Sequence, residues 1–341
     1  MNFKTIANRL LLTAVALLLT PSAIKAQGVN TYDSKKGLSS TQVQAIYEDS
    51  RNNVWITTRN GLNRFDGVKM NNYHHVEDDE HSLRNDITNC VFEYDKEHLL
   101  VGLGSGIQSY SHATDKFTNV PFITERGDTI SIHIISFSRL RSSGDVYACA
   151  ASFSASKIMK DDNGNLYAKS TQDFNTPDGT PVQIFEDSRG TVWVLDNRSN
   201  IYIRQNGKMR QVTSSLSIRR LCESSYGNIY AGSMTDGLLI YDWKKGTFEP
   251  ACNIGNNNEL WSIRPWTDGR IFICTDGSGL KVYDESTGTL SQSPIQVNDF
   301  NLSTSNVKDA ICDSFGSVWV GIYWRGVMHK TANQLSHPSR V

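Results

Sequence analysis

Between Val43 and Gly67 the chain reads VQAIYEDSRNNVWITTRNGLNRFDG. A mostly apolar run of six residues is followed by a polar turn, a run centred on Trp55, a Gly-Leu step and a second turn. Short apolar runs bounded by turn signals have the length and punctuation of buried strands, not of helices. The same order of apolar and polar positions returns from Ile87 (ITNCVFEYDKEHLLVGLGSGIQSY), Ile134 (IISFSRLRSSGDVYACA) and Pro181 (PVQIFEDSRGTVWVLDNRSNIYIRQNG). It returns again from Ile218 (IRRLCESSYGNIYAGSMTDGLLIYD), Leu260 (LWSIRPWTDGRIFICTDGSGLKVYD) and Val307 (VKDAICDSFGSVWVGIYWRGVMHK). A bulky residue occupies the matching place in each copy: Trp55, Leu99, Tyr147, Trp193, Tyr230, Phe272 and Trp319.

Self-similarity at a period of 20–50 residues marks a repeat architecture. Each copy holds two strands around its first turn, a third opening at the Gly-Leu step and a fourth after the next turn. Four antiparallel strands repeated radially make a blade, so the chain is predicted to be all-β, a seven-bladed β-propeller of four-stranded antiparallel blades spanning 27–341. The anchors are expected between neighbouring blades, where a large apolar side chain gains most from burial. The segment KIMKDDNGNLYAKS lies too close to Tyr147 to start a blade and reads as the third and fourth strands of blade 3. Its Asp161, Asn163 and Asn165 mimic a calcium loop but have Leu166 where such a loop needs Gly, so a turn is expected. The last copy shows three strands, and GVNTYDSKKGLSS near the N-terminus is expected to supply its fourth, hiding the sheet edges.

The first residues follow another pattern. MNFKTIANRLLLTAVALLLTPSAIKAQG has Lys4 and Arg9, an apolar core from Leu10 to Leu19, then Pro21 and small residues. That core is short for a bilayer, which takes about 20 residues. Residues 1–26 read as a cleavable signal peptide, with cleavage after Ala26 or Ala23 and an uncleaved anchor as the alternative. The expected destination is the periplasm, with no membrane span in the remainder. A formal charge of -1 gives no basic excess for nucleic-acid contact. Cys90, Cys149, Cys222, Cys252, Cys274 and Cys312 are widely spaced, mostly in apolar runs, without metal-ligand spacing, so mostly free, buried thiols are expected.

The stretch GLSSTQVQAIYEDSRNNVWITTRNGLNRFDG resembles the propeller repeat of two-component regulators, and HSLRNDITNCVFEY resembles the link between its blades. The resemblance runs from about residue 28 to 330 and is weakest in copies two and three. It implies the periplasmic sensor of a Bacteroidetes hybrid two-component system, in which propellers detect polysaccharide breakdown products and regulate polysaccharide-utilisation genes. Family members carry further sensor domains, a membrane helix and a histidine kinase, which these 341 residues do not contain. The chain is therefore expected to be the N-terminal part of such a protein or a stand-alone product, without enzyme activity of its own. An oligosaccharide ligand and a homodimer or further sensor domains are the implied partners; no cofactor or metal is implied.

Propeller ligands usually sit at one end of the central channel. The repeat register places Asn85, Asp86, His133, Arg219, Glu259, Trp261 and Asn306 at the entries to the innermost strands. It places Arg59, Asn60, Asn197, Arg198, Met234, Asp276, Tyr323, Trp324 and Arg325 in the loops beside them. Trp261, Tyr323 and Trp324 are candidates to stack on sugar rings. Arg59, Arg198 and Arg325 are candidates to hold a carboxylate or sulfate through the planar guanidinium fork. The competing expectation is that Trp261 and Trp266 are packing between blades and the arginines are solvated rim. Asp49 and Asp187, in the EDS turns, fall at the opposite end and read as turn-closing residues. The cluster His74, His75 and His81 with its acids reads as a solvated link. A structural propeller without its own ligand is the first alternative. A secreted carbohydrate-active enzyme is the second, for which Asp86, Glu259 and Asp276 are the available acids.

Overall fold

The computed structural model describes residues 29–332 apart from 214–216, 256–259, 296 and 298–299. The signal segment and Glu259 lie outside the described residues. Seven sheets built on antiparallel strands follow one another along the chain, and the innermost strand of each packs beside that of the next, except that blades 4 and 5 meet chiefly through Gln183 and Leu221. These inner strands are Val43–Glu48, Thr88–Glu93, Ile134–Arg139, Pro181–Glu186, Ile218–Glu223, Leu260–Pro265 and Val307–Cys312. The last packs against the first, which closes the ring.

All seven anchors lie in the second strand of their blade and are buried. The strand after the turn is buried on both faces, as VWITT (Val54–Thr58) and IYAGS (Ile229–Ser233) show, because neighbouring blades cover it. Close approach of blades explains one residue type there. A Cβ on Gly232 would stand 2.7 Å from Leu260, and one on Gly321 would stand 2.8 Å from Val43, each in the next blade.

Three blades share a device at the turn between first and second strands. Trp55, Trp193 and Trp319 each donate their indole N–H to an aspartate six residues earlier, Asp49, Asp187 and Asp313, at 2.8 Å. The other carboxylate oxygen accepts backbone N–H groups of the turn, from Arg51 and Asn53, Arg189 and Thr191, and Phe315 and Ser317. The aspartates therefore close turns, as their repetition implies. Asp187→Ala should lower stability by about 2–3 kcal/mol, because a buried indole N–H and two turn N–H groups lose their acceptor together. The check is the urea midpoint; a change below about 0.5 kcal/mol would mean that water replaces the carboxylate.

Blade 3 is larger than the repeat predicts. The link before it forms a small hairpin, Phe122–Ile123 with Thr129–Ile130, and Phe122–Ile123 pairs parallel to the outer strand Leu166–Ser170. Phe122 is buried against this blade, so a long connection acquires an apolar anchor of its own. The segment from Ser156 to Ser170 supplies the third and fourth strands as expected. Asp161 accepts the N–H groups of Asn163 and Asn165 at 2.9 and 2.8 Å, which makes the calcium-like run a turn. Blade 7 takes its fourth strand from Val29–Tyr32, paired antiparallel with Gly326–Lys330. All six cysteines are free.

Candidate functional site

Every inner strand carries a β-bulge at the same place. The register against the second strand slips between Val43 and Ala45, Thr88 and Cys90, Ile134 and Ser136, and Pro181 and Gln183. It slips again between Ile218 and Arg220, Leu260 and Ser262, and Val307 and Asp309. A bulge sets two consecutive residues against one partner, so both can turn toward the same side. Here that side is the central channel, and the seven bulges stack two rings of side chains beneath its mouth.

The upper ring is chemically lopsided. Blades 5, 6 and 7 contribute Arg219, Trp261 and Lys308, whereas blades 3 and 4 contribute Ile135 and Val182. The Lys308 ammonium lies 3.1 Å from the centre of the Trp261 ring and 4.9 Å from that of Tyr323. The Arg219 guanidinium lies 5.6 Å from the Trp261 ring, and its Nε donates to Met234 Sδ at 2.8 Å. Trp261 nevertheless stays 38% exposed. It is a channel residue, whereas Trp266 is the packing residue, buried and stacked on Phe272 at 4.6 Å. Burial holds the Lys308 pKa below the ordinary lysine value; Asp276 works against that shift and Arg59 and Arg219 add to it. His133 is likewise held below the usual histidine value, by burial and then by Arg59. Arg59, His133, Arg219, Trp261, Asp276 and Lys308 thus stand around one mouth, with Arg59, Arg219 and Lys308 facing Asp276.

A second group flanks the mouth at blade 7. Tyr323, Trp324 and Arg325 form a turn pinned from three sides. Tyr323 N–H donates to Asn306, Trp324 N–H to Thr41 in the link to blade 1, and Arg325 N–H to Ile322, at 2.8–3.0 Å. Trp324 has φ 66°, a left-handed conformation that is rare and costly for a bulky residue. Its side chain is 62% exposed, with Tyr323 edge-on at 5.2 Å. Beside it a cleft of about 430 Å³ runs between Phe300, Asn301, Asn306, Tyr323 and Arg325. The Arg325 guanidinium stands 5.5 Å from the Phe300 ring.

The remaining candidates do not join these groups. Asn60 N–H caps its own turn on Thr58. Asn197 accepts the N–H of Thr180, and the Arg198 N–H donates to Asp196, so both serve the blade 4 turn. In the link after blade 1, His74 approaches Asp86 at 3.6 Å and the His75 ring meets the Leu83 carbonyl at 2.7 Å. Among the described residues no group of His, Cys, Asp and Glu is arranged to hold a metal.

The lower ring joins blades. Ser136 donates to Val182 O at 2.7 Å, and Gln183 exchanges two hydrogen bonds with Leu221 at 2.9 Å. Asp309 accepts the Ile46 N–H at 3.0 Å and takes a bidentate Arg264 at 2.7 and 2.8 Å. Sequence reasoning missed Lys308, Arg264 and Asp309. Their signal was the adjacent pair Lys308-Asp309 inside an apolar run, which plain alternation cannot place on one face.

The fold and this mouth define a seven-bladed β-propeller with an aromatic, cation-rich opening to its channel. Residues 37–60, in the first copy of the repeat, match the family model described as two component regulator propeller. No curated protein sequence matches the chain. Among solved structures it is similar to the extracellular domain described as that of the hybrid two component system BT3049 from B. thetaiotaomicron, with TM-score 0.74 and 18% identity, covering 89% of this chain and 41% of that one. It is equally similar to the extracellular domain described for BT4673 from the same organism, again at TM-score 0.74 and 18% identity, covering 92% and 44%. The chain thus spans less than half the length of these extracellular domains. A streptogramin B lyase shares the fold at TM-score 0.64 and 13% identity, covering 88% of this chain and 96% of the lyase.

Proposed function

We propose that this propeller is the ligand-binding part of an exported sensor of the hybrid two-component type, and that it takes an oligosaccharide at the mouth of its channel. The observation that carries the reading is the Trp261–Lys308–Tyr323 group beside Arg219. It combines an exposed aromatic face with cations held around it, in a ring where blades 3 and 4 present Ile135 and Val182. Aromatic faces take the C–H faces of sugar rings, and Arg and Lys take hydroxyl or acidic substituents. The reading places the propeller in the periplasm, upstream of a histidine kinase, with occupancy biasing how propellers pack. The likeness to extracellular domains of two-component systems supports that placement.

Calorimetric titration against plant, host and microbial oligosaccharides, with product analysis on the same samples, tests the proposal. Saturable binding without turnover is expected. Trp261→Ala should weaken that binding at least tenfold, about 1.4 kcal/mol, and leave the melting temperature nearly unchanged, since the ring is open to water on one side. Full affinity in Trp261→Ala and in a Trp324→Ala/Arg325→Ala variant would move the site to another surface. Turnover would replace the sensor by an enzyme.

A further inference from the structure

Below the mouth, blades 3, 4 and 5 enclose a channel cavity of about 360 Å³. Its wall carries four arginines, Arg139, Arg141, Arg219 and Arg220, against one carboxylate, Glu186. Most of these charges have work elsewhere. Arg139 donates to the carbonyls of Gly144, Glu93 and Tyr94, and Arg141 pairs with Glu223 at 3.5 Å. Glu186 accepts from the Ser142 N–H and hydroxyl.

Arg220 differs. It occupies the lower bulge position, where Ser136, Gln183 and Asp309 each bond the next blade. Its own guanidinium makes no hydrogen bond or ion pair among the described residues. The carboxylate nearest in influence, Asp309, is already engaged by both forks of Arg264. Arg220 is half-buried in the channel, reached by water yet walled in. Enclosure, and then repulsion from Arg264, bring its pKa down to about 10. A guanidinium has five donors, and an enclosed cation without a counter-charge is costly.

We infer that Arg220 anchors a second binding site, which holds a small oxyanion in the channel: a carboxylate or sulfate, free or as the acidic substituent of a ligand. The planar fork matches two oxygens of such a group. The site stands apart from the saccharide reading of the mouth, because it needs neither Trp261 nor a sugar.

Selenate, an isostere of sulfate with an anomalous signal, locates the site directly. Crystals of the chain soaked in selenate should show an anomalous peak against the Arg220 guanidinium, and crystals of Arg220→Gln should not. A wild-type channel without the peak overturns the inference, whatever the variant does; so does a peak that survives in Arg220→Gln. In solution, sulfate stabilises proteins generally by exclusion from their surface, so the reading is the difference between the two chains. The wild type should gain on the order of 5 °C more in melting temperature at saturating sulfate than Arg220→Gln. Equal gains overturn the site. Adding galacturonate or galactose to the selenate soak separates the two sources. Loss of the peak with galacturonate alone assigns the site to a ligand's acidic group, and a peak kept with both assigns it to a free ion.

Discussion

Asp309→Ala should lower the stability of the propeller by roughly 3–5 kcal/mol, the cost of breaking one side of a buried ion pair. The carboxylate is 3% exposed and serves three blades at once. It holds Arg264 of blade 6 by two hydrogen bonds, sits on blade 7 and accepts the Ile46 N–H of blade 1. Its loss leaves a guanidinium facing Arg220 in the channel, and a buried backbone donor without an acceptor. Guanidinium unfolding midpoints measure the effect. The double variant Arg264→Met/Asp309→Leu should lose less than the single one, because no charge is stranded. A double variant as unstable as the single one would show that the Ile46 bond, not the stranded charge, sets the cost.

The same carboxylate fixes a pH dependence. Burial pushes the Asp309 pKa up, but Arg264 and then Arg220 and the Ile46 N–H outweigh it and hold the pKa below the ordinary value. Folding therefore gains from its ionised form above the unfolded pKa, about 3.9. That gain is lost as pH falls through the folded value. In the wild type stability should fall as pH drops below about 4, and Asp309→Ala should remove part of that slope.

The fold was legible because its strongest signals are local and repeated. Each anchor, from Trp55 to Trp319, follows a turn by a fixed step, and burial between blades demands a large side chain there. Which loops lie at which end of the propeller was legible for the same reason, since the turn residues number the strands. The channel wall was not. Alternation with period two puts successive residues on opposite faces, so Lys308 and Asp309 read as one channel residue and one core residue. The bulge between Val307 and Asp309 removes that conflict, and it leaves no mark in composition. Trp261 and Trp266 show the limit in another way. Both are tryptophans of one short segment, WSIRPW, yet one lines the channel and the other packs on Phe272, because the strand Leu260–Pro265 ends between them. The hairpin before blade 3 escaped because its pairing partner, Leu166–Ser170, lies far along the chain, with Phe122 opposite Ala168.

Removing residues through Tyr32 should open the ring. The strand Val29–Tyr32 is the outer strand of blade 7, with Val29 opposite Lys330 and Tyr32 opposite Val327. Without it Gly326–Lys330 becomes a bare edge, and its backbone groups lose their partners. Tyr32 also lies 6.0 Å from Trp319, nearly parallel to it, and 5.6 Å from Phe65 of blade 1, so it seals the joint between the last blade and the first. The fit is close: a Cβ on Gly326, at φ 98°, would collide with the Tyr32 carbonyl at 2.0 Å. At about 1 kcal/mol for each backbone hydrogen bond, and with the aromatic contacts added, the loss is on the order of 4 kcal/mol. It should be unevenly spread. Hydrogen exchange should accelerate most in blade 7, Val307–Lys330, next in blade 1, and least in blades 3 and 4 across the ring. An exposed edge also invites a second copy to pair with it, so the truncated chain should associate at high concentration. A truncated chain that stays monomeric and keeps blade 7 as well protected as blade 4 would show that blade 7 stands on three strands. The closure of the ring would then rest on the Arg264–Asp309–Ile46 bridge instead.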